Sequence, residues 1–333
     1  MSEGKDDGEG GGNRMTRKAP ASPYRRWLPG TGEPAHRAAL CALVLVVTLL
    51  AASSAGAQEL EPRAYRTLPK GLNFVIVAYR FSTGNVVSDP SAPLQDLDVD
   101  LQIPTLGYLR SFGMFGRSAS ITATVPYAFL SGSARFNDQP VSDSRSGSGD
   151  ARLRLAVNLL GGPALSPPDF ARYKQGRNMG VGLTVSAPTG QYDPTRIINF
   201  GNNRWAFKPE VGYSSIRGRW IWEAAVGVWF FTANDDFLGS TKTQDPIGSL
   251  QACVSYNFKS GAWVSLNGNW YTGGETAIDG VDKGDLQKNS RVGLTLSLPL
   301  GGPHSLKLAA QTGAYTSVGA DFDELTVAYQ YRW

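Results

Sequence analysis

The stretch from Ser118 to Phe129, SASITATVPYAF, decides the fold class. Its odd-numbered positions carry Ala, Ile, Ala, Val, Tyr and Phe, and its first four even-numbered positions carry Ser or Thr. A period of two predicts a β-strand with one apolar and one polar face. Strands of ten or more residues are long for a soluble sandwich, but they match a tilted crossing of a bilayer.

The same alternation recurs along the chain after Leu72. It is clear in segments 150–159, 178–186, 205–214, 220–230, 250–258, 291–298 and 324–333, and weaker in 72–81, 97–110, 262–272 and 306–316. With the opening stretch, these segments predict about twelve strands.

The connections between these segments alternate in length. Long polar connections cover 82–96, 131–148, 189–203, 233–246, 273–287 and 317–322, and short ones cover 112–116, 215–219, 259–261 and 301–304, with 161–176 as a longer Pro-rich exception. Open sheet edges would leave amides unsatisfied in lipid, so membrane strands must close into a barrel. Residues 72–333 are therefore predicted to form an all-β, transmembrane, antiparallel up-and-down barrel.

Aromatic residues cluster at the two ends of the predicted strands. Beside short turns lie Tyr213, Trp220, Trp222, Tyr256, Phe258, Trp263, Tyr331 and Trp333; beside long connections lie Tyr127, Phe129, Trp205, Phe207, Phe230, Phe231, Trp270 and Tyr271. Two such belts are typical of membrane barrels. A soluble sandwich, the alternative for alternating strands, does not explain them.

The N-terminal region reads as an export signal. Basic residues precede an apolar run from Ala38 to Ala52, and an Ala-x-Ala site ends at Ala57. We predict a cleaved signal peptide at 1–57, with a translation start at Met15 left open, a short periplasmic segment at 58–71, and localisation in a bacterial outer membrane.

Composition excludes several kinds of chemistry. The chain has 2 His and 2 Cys, too few for a His-built metal site or a disulfide scaffold. Without 1–57, its 25 basic residues nearly balance 23 acidic ones, which gives no reason to expect nucleic acid as a partner. We expect no cofactor and no metal; the acidic residues of 273–287 match no known calcium loop.

Several motifs resemble a known family. They are SAPTGQYDP (186–194), INFGNNRWAFKPEVGY (198–213), WFF (229–231), QDP (244–246), YTGG (271–274), NSRVG (289–293) and AYQYRW (328–333). Together they resemble the outer-membrane family named for the meta-pathway of phenol degradation. The resemblance implies a transporter associated with the degradation of aromatic compounds and implies no catalytic residues. The aromatic C-terminus resembles the signal read by the barrel-assembly machinery.

Charged residues at polar-face positions are candidates for a solute path. Charge facing lipid at mid-membrane costs about 2–4 kcal/mol for Arg or Lys, so these side chains should point into the lumen. The candidates are Arg152, Arg154, Lys208, Glu210, Glu223 and Arg291. They could instead pair with one another and fill the interior.

The connection 190–204 supplies a second group of candidates. Asp193, Arg196, Asn199 and Arg204 could form an outer constriction or capture a solute. Alternatively, Asx turns hold the loop in place.

We predict a channel for passive uptake or efflux of a small solute, with an aromatic or hydrophobic compound as the hypothesis. Outer-membrane lipid and lipopolysaccharide are the expected surroundings. A lipase-like barrel enzyme is one alternative, but His304 falls in a predicted periplasmic turn, which disfavours it. A structural or adhesive barrel is another alternative.

Overall fold

The computed structural model describes residues 61–87, 94–136, 139–196 and 199–333. The predicted signal peptide lies outside these ranges. No helix within them is long and apolar enough to cross a membrane.

Twelve antiparallel strands form a closed ring. In order around the ring they are β1 (Asn73–Val87), β2 (Leu94–Met114), β3 (Arg117–Phe136), β5 (Arg152–Leu160), β6 (Arg177–Ser186), β7 (Ala206–Arg217), β8 (Trp220–Phe231), β11 (Ile247–Asn257), β12 (Trp263–Gly273), β15 (Gln287–Gly301), β16 (His304–Tyr315) and β17 (Gly319–Arg332). The last strand closes the ring on the first, from Phe74 opposite Arg332 to Val87 opposite Gly319. The predicted up-and-down barrel is confirmed.

The barrel is inverted in polarity relative to a soluble protein. On β12, Ser265 and Asn267 are 0% and 2% exposed, whereas Leu266 between them is 63% exposed. Strand alternation sends the polar set inward and the apolar set outward. This pattern is what a lipid-facing wall around a polar lumen requires, and a soluble sandwich would reverse it.

The two ends of the barrel differ. Short turns join β2 to β3, β7 to β8, β11 to β12 and β15 to β16 at one end, here called the turn end, which also holds Asn73 and Trp333. At the β7–β8 turn, Gly218 has a φ of 62°, a left-handed conformation that favours glycine. The longer β5–β6 connection carries a short helix, α1 (Pro167–Arg172), capped by Ser166.

The opposite end, here called the loop end, carries more structure than the sequence indicated. Connections predicted as plain loops contain β4 (Gln139–Ser148), which pairs with β3, and a separate small sheet made by β9 (Asn234–Phe237), β10 (Ser240–Gln244), β13 (Thr276–Ile278) and β14 (Val281–Asp282). The strands of the small sheet are only two to five residues long, too short for a hydrophobic alternation to show, and β4 carries mostly polar residues.

Candidate functional site in the barrel lumen

Residues 61–72, just before β1, run inside the ring of strands. The sequence predicts a short periplasmic segment at 58–71. At the turn end, the Lys70 amide donates to the Leu165 carbonyl at 2.8 Å. The Leu68 amide donates to the Ser118 hydroxyl at 3.2 Å, and that hydroxyl donates back to the Leu68 carbonyl at 2.8 Å. Asn178 of β6 donates to the Thr67 hydroxyl at 2.8 Å. These bonds fix the segment against β3 and β6.

Tyr65 occupies the centre of a charge network. Its hydroxyl donates to Glu210 Oε1 at 2.6 Å, and the Arg154 guanidinium lies 5.1 Å from its ring centroid. Glu210 also pairs with Lys208 at 2.6 Å and with Arg154 at 3.3 Å. Burial, followed by the charge of Glu210, raises the pKa of Tyr65, so the phenol stays protonated and acts as the donor.

Three glycines make room for the Tyr65 ring. A Cβ added at Gly212 would stand 2.1 Å from ring carbons of Tyr65, one at Gly180 would stand 2.9 Å from its Cδ1, and one at Gly182 would stand 2.9 Å from its hydroxyl. All three are inward positions on the neighbouring strands β6 and β7, where Gly180 lies opposite Gly212. The wall therefore has a recess shaped for this aromatic ring.

Arg63 makes the next contact across the lumen. Its amide donates to Glu223 Oε2, and its side chain donates to Asn257 Oδ1, both at 2.6 Å. Its guanidinium lies 3.9 Å from the ring centroid of Trp263. The segment is thus held by β8, β11 and β12 as well as by β6 and β7.

Glu61 carries the contacts to the far side of the ring. Its carbonyl accepts from Gln251 at 3.1 Å, and its carboxylate accepts from Lys307 of β16 at 2.8 Å. A cavity of about 20 Å³ remains between the segment and the wall, lined by Glu61, Tyr65, Glu210, Glu223 and Cys253 among others. One water molecule needs about this volume, so the segment closely fills this part of the lumen.

The predicted lumen residues separate into distinct groups. Arg154, Lys208 and Glu210 come together around Tyr65, and Glu223 contacts Arg63 instead. Arg291 lies elsewhere on the wall, 3.6 Å from Glu324, and donates to the Phe322 carbonyl at 2.7 Å. Arg152 is opposite Ser186, one inward position closer to the loop end than Arg154.

The outer-loop candidates also divide. Arg196 pairs with Asp193 at 2.8 Å, and Asn199 donates to the backbone carbonyls of both, at 2.9 and 3.1 Å. These three side chains hold their own loop. Arg204 does not join them: it is 6% exposed, donates to Gln244 of β10, and lies 4.6 Å from the ring centroid of Phe231.

Tyr65, Arg63 and the glycine recess were not predicted from the sequence. The available signal was a run of glycines at inward positions of β6 and β7, where the alternation leads one to expect side chains. Glycine inside a strand often marks a close approach by another part of the chain.

The remaining chemistry-bearing residues do not form a catalytic arrangement in the part of the chain that the structure describes. His304 lies at the turn end, where its Nδ1 is 2.5 Å from the Tyr329 hydroxyl. No group of three or more His, Cys, Asp or Glu residues in the described ranges is placed to hold a metal.

A closed twelve-stranded ring with a polar interior defines the class of protein, an outer-membrane-type β-barrel. The sequence profile of the family described as "Putative MetA-pathway of phenol degradation" matches residues 80–329. The chain belongs to this family, as the resemblance predicted.

One solved structure shares this fold, and two others give weaker matches. A COG4313 outer membrane channel from Pseudomonas putida F1 is 21% identical, with a TM-score of 0.68, covering 83% of this chain and 100% of its own. The transport unit of the autotransporter AIDA-I from Escherichia coli is 9% identical, with a TM-score of 0.48 and coverage of 85% and 94%. Outer membrane phospholipase A from Escherichia coli is 14% identical, with a TM-score of 0.37 and coverage of 82% and 94%. None of the curated proteins matches the chain.

Proposed function

We propose that this protein is a passive channel of a bacterial outer membrane for a small solute with an apolar, for example aromatic, body. The observation that carries the proposal is the twelve-stranded ring with residues 61–72 lying across its lumen. Eight-stranded barrels are filled by side chains, and barrels of 16 or more strands leave wide aqueous channels. A ring of twelve strands encloses a lumen that side chains alone do not fill. In this protein residues 61–72 narrow that lumen to a selective passage.

The lining of the lumen supports a solute that is partly apolar. One part of the lumen is lined by the charge network around Tyr65 and Glu223. Near the loop end, the inward side chains of Ala206, Trp229, Ile247 and Tyr271 form an apolar cluster, with Phe231 packed against it. A compound with an aromatic body and a polar group would contact both linings in turn.

Within this proposal, the charged wall residues flank the solute path. Arg152, Arg154, Lys208, Glu210, Glu223 and Arg291 supply both signs of charge, which would orient a dipolar or ionic solute. Asp193, Arg196 and Asn199 shape the loop at the outer entrance, and Arg204 is the outer-loop candidate that turns toward the lumen. The function needs no cofactor and no catalytic residue.

The location and partners follow from the same proposal. We infer that residues 1–57 direct export, that the turn end faces the periplasm, and that the loop end faces outward, as in bacterial barrels generally. The surroundings would be outer-membrane lipid and lipopolysaccharide, and the C-terminal strand would be recognised by the barrel-assembly machinery. A relative of similar fold is described as an outer membrane channel, which agrees with this proposal.

Single-channel conductance and liposome swelling with the purified protein test the function. We expect small, discrete conductance steps and permeation by small aromatic solutes. If no solute permeates and none binds, a structural role replaces the channel. Hydrolysis of phospholipid or peptide by the same sample, abolished by His304→Ala, would establish the enzyme alternative instead.

A further inference from the structure

Two buried cations lie close together at the loop end of the barrel. Arg204 precedes β7 and is 6% exposed, and Lys242 of β10 is 4% exposed. Lys242 and Gln244 share one face of β10, because side chains alternate along a strand, and the Arg204 guanidinium donates to Gln244. The strand therefore brings the Lys242 ammonium to the side of Arg204.

Neither cation is in direct contact with a counter-ion among the residues that the structure describes. No carboxylate oxygen of a described residue lies within 4.0 Å of either side chain. Arg204 Nη1 is buried and without a hydrogen-bond partner. The Lys242 ammonium lies 4.9 Å from the ring centroid of Phe237. A buried charge is costly unless it is paired, so this pair is set up for an anion that the chain itself does not supply.

Two carboxylates act on the cations from beyond ion-pair distance, Asp150 on Arg204 and Asp285 on Lys242, and both accept hydrogen bonds from other groups. Asp150 accepts hydrogen bonds from the Gly190 amide and from the amide and side chain of Asn202, at 2.9 to 3.0 Å. Asp285 accepts from the amide and hydroxyl of Thr276, at 2.7 and 2.8 Å. These bonds hold both carboxylates to their own loops, and neither forms an ion pair with Arg204 or Lys242.

The surroundings of the pair are aromatic. Phe231 lies beneath the Arg204 guanidinium and stacks on Trp229, with ring centroids 6.4 Å apart and planes 12° from parallel. The Trp229 indole Nε1 is also buried without a partner. Two buried donors without a hydrogen-bond partner, one on Arg204 above the Phe231 ring and one on the Trp229 indole, thus adjoin stacked aromatic rings, which favours an oxyanion attached to an apolar body.

We propose that Arg204 and Lys242 form a binding site for the carboxylate of a small aromatic acid at the loop end of the barrel. The site deepens the channel function proposed above and rests on it, because it assigns a class of solute to that path. Guanidinium and ammonium would each donate to the carboxylate, and the Phe231 and Trp229 rings would contact the aromatic body. A neutral analogue of the same shape leaves both cations unpaired and is rejected.

Calorimetric titration of the full mature protein in a neutral detergent tests the site. Benzoate is the probe, benzyl alcohol is its neutral analogue, and inorganic phosphate is an oxyanion without the ring. We expect benzoate to bind at least tenfold more tightly than either, and Lys242→Met and Arg204→Gln each to weaken benzoate at least tenfold. Lys283→Met, which removes an exposed lysine of the same end, should leave benzoate binding unchanged.

Several results would overturn the proposal. Equal affinity for benzoate and benzyl alcohol would show that the charge of the carboxylate does not contribute to binding. Phosphate affinity equal to that of benzoate would show that the aromatic rings do not contribute. Benzoate affinity unaffected by both substitutions would place binding elsewhere. Lys242→Met removes an unpaired buried charge, so its thermal midpoint should not fall, and heat-modifiable migration on gels confirms a folded barrel.

Permeation measurements on the same samples separate the two proposals. If neutral solutes permeate but benzoate does not bind, the channel stands and the carboxylate site fails. If benzoate binds with the expected selectivity but nothing permeates, the site stands as a binding site and the channel fails.

Discussion

Replacing Gly212 with alanine is expected to dislodge Tyr65 and widen the lumen. The new Cβ would stand 2.1 Å from two ring carbons, whereas carbon atoms in contact stay about 3.5 Å apart. The ring must therefore retreat by roughly 1.4 Å. Gly212 cannot retreat instead, because its backbone pairs with Gly180 on one side and Ala225 on the other.

The energetic cost follows from the contacts that Tyr65 makes. A retreat of this size breaks its hydrogen bond to Glu210, worth about 1.5–3 kcal/mol for a bond to a charged group. The stacking with Arg154 adds about 0.5–1 kcal/mol. A total of about 2–4 kcal/mol raises the population of the displaced segment by roughly 30- to 700-fold.

Planar-bilayer recordings measure this effect. Gly212→Ala should show larger or more frequent open levels than the wild type. Gly268→Ala on β12, where an added Cβ has no neighbour within 4 Å, serves as the matched control and should conduct as the wild type does. In a Tyr65→Ala background the Gly212 substitution should have no further effect, because the ring that it strikes is gone. Unchanged conductance in Gly212→Ala, with the barrel folded, would refute a segment that restricts the lumen.

The other predictions concern the cysteine, the lipid face and the cation pair. Cys253 is 3% exposed and lies beneath residues 61–72. A charged thiol reagent should therefore modify it slowly in the wild type and at least tenfold faster in Gly212→Ala. Equal rates would mean that the segment does not shield the thiol. Leu266→Arg should destabilise the barrel in lipid by about 2–4 kcal/mol in urea unfolding, and no loss would contradict the outward, mid-membrane placement of Leu266. Burial and the nearby Arg204 lower the pKa of Lys242 to about 8, and Asp285 opposes this shift. Because the ammonium loses its charge above this pKa, benzoate affinity should fall as the pH rises from 7 to 9. Lys242→Met should abolish this pH dependence.

The strands themselves were largely predictable from local pattern. Alternation such as that of 118–129 reports which face of a strand meets lipid, and lipid tolerates no open sheet edge, so twelve alternating segments imply a closed ring. The small sheet at the loop end was not predictable, because β9, β10, β13 and β14 are only two to five residues long and too short to show an alternation. Their pairing depends on which barrel strands bring the connections together.

The functional residues were predictable only as a set. Inward charge at Arg154, Lys208 and Glu210 follows from the cost of charge in lipid. Tyr65, which contacts Glu210 and Arg154, lies 145 residues from Glu210 along the chain. Arg204 looked like one of four similar loop residues. Only the structure shows that Asp193, Arg196 and Asn199 bind one another while Arg204 turns inward to Gln244.

The sequence by itself determined that this chain is a membrane barrel with a polar lumen. Lipid on the outside and a polar lumen on the inside require apolar and polar residues to alternate along every strand. The tertiary structure decided what occupies that lumen and where charge is left unpaired. Those features depend on contacts between residues far apart in the chain, such as Tyr65 with Gly212 and Arg204 with Gln244. A pattern of local alternation carries no information about such contacts, because the same inward polar face is compatible with many ways of filling the ring.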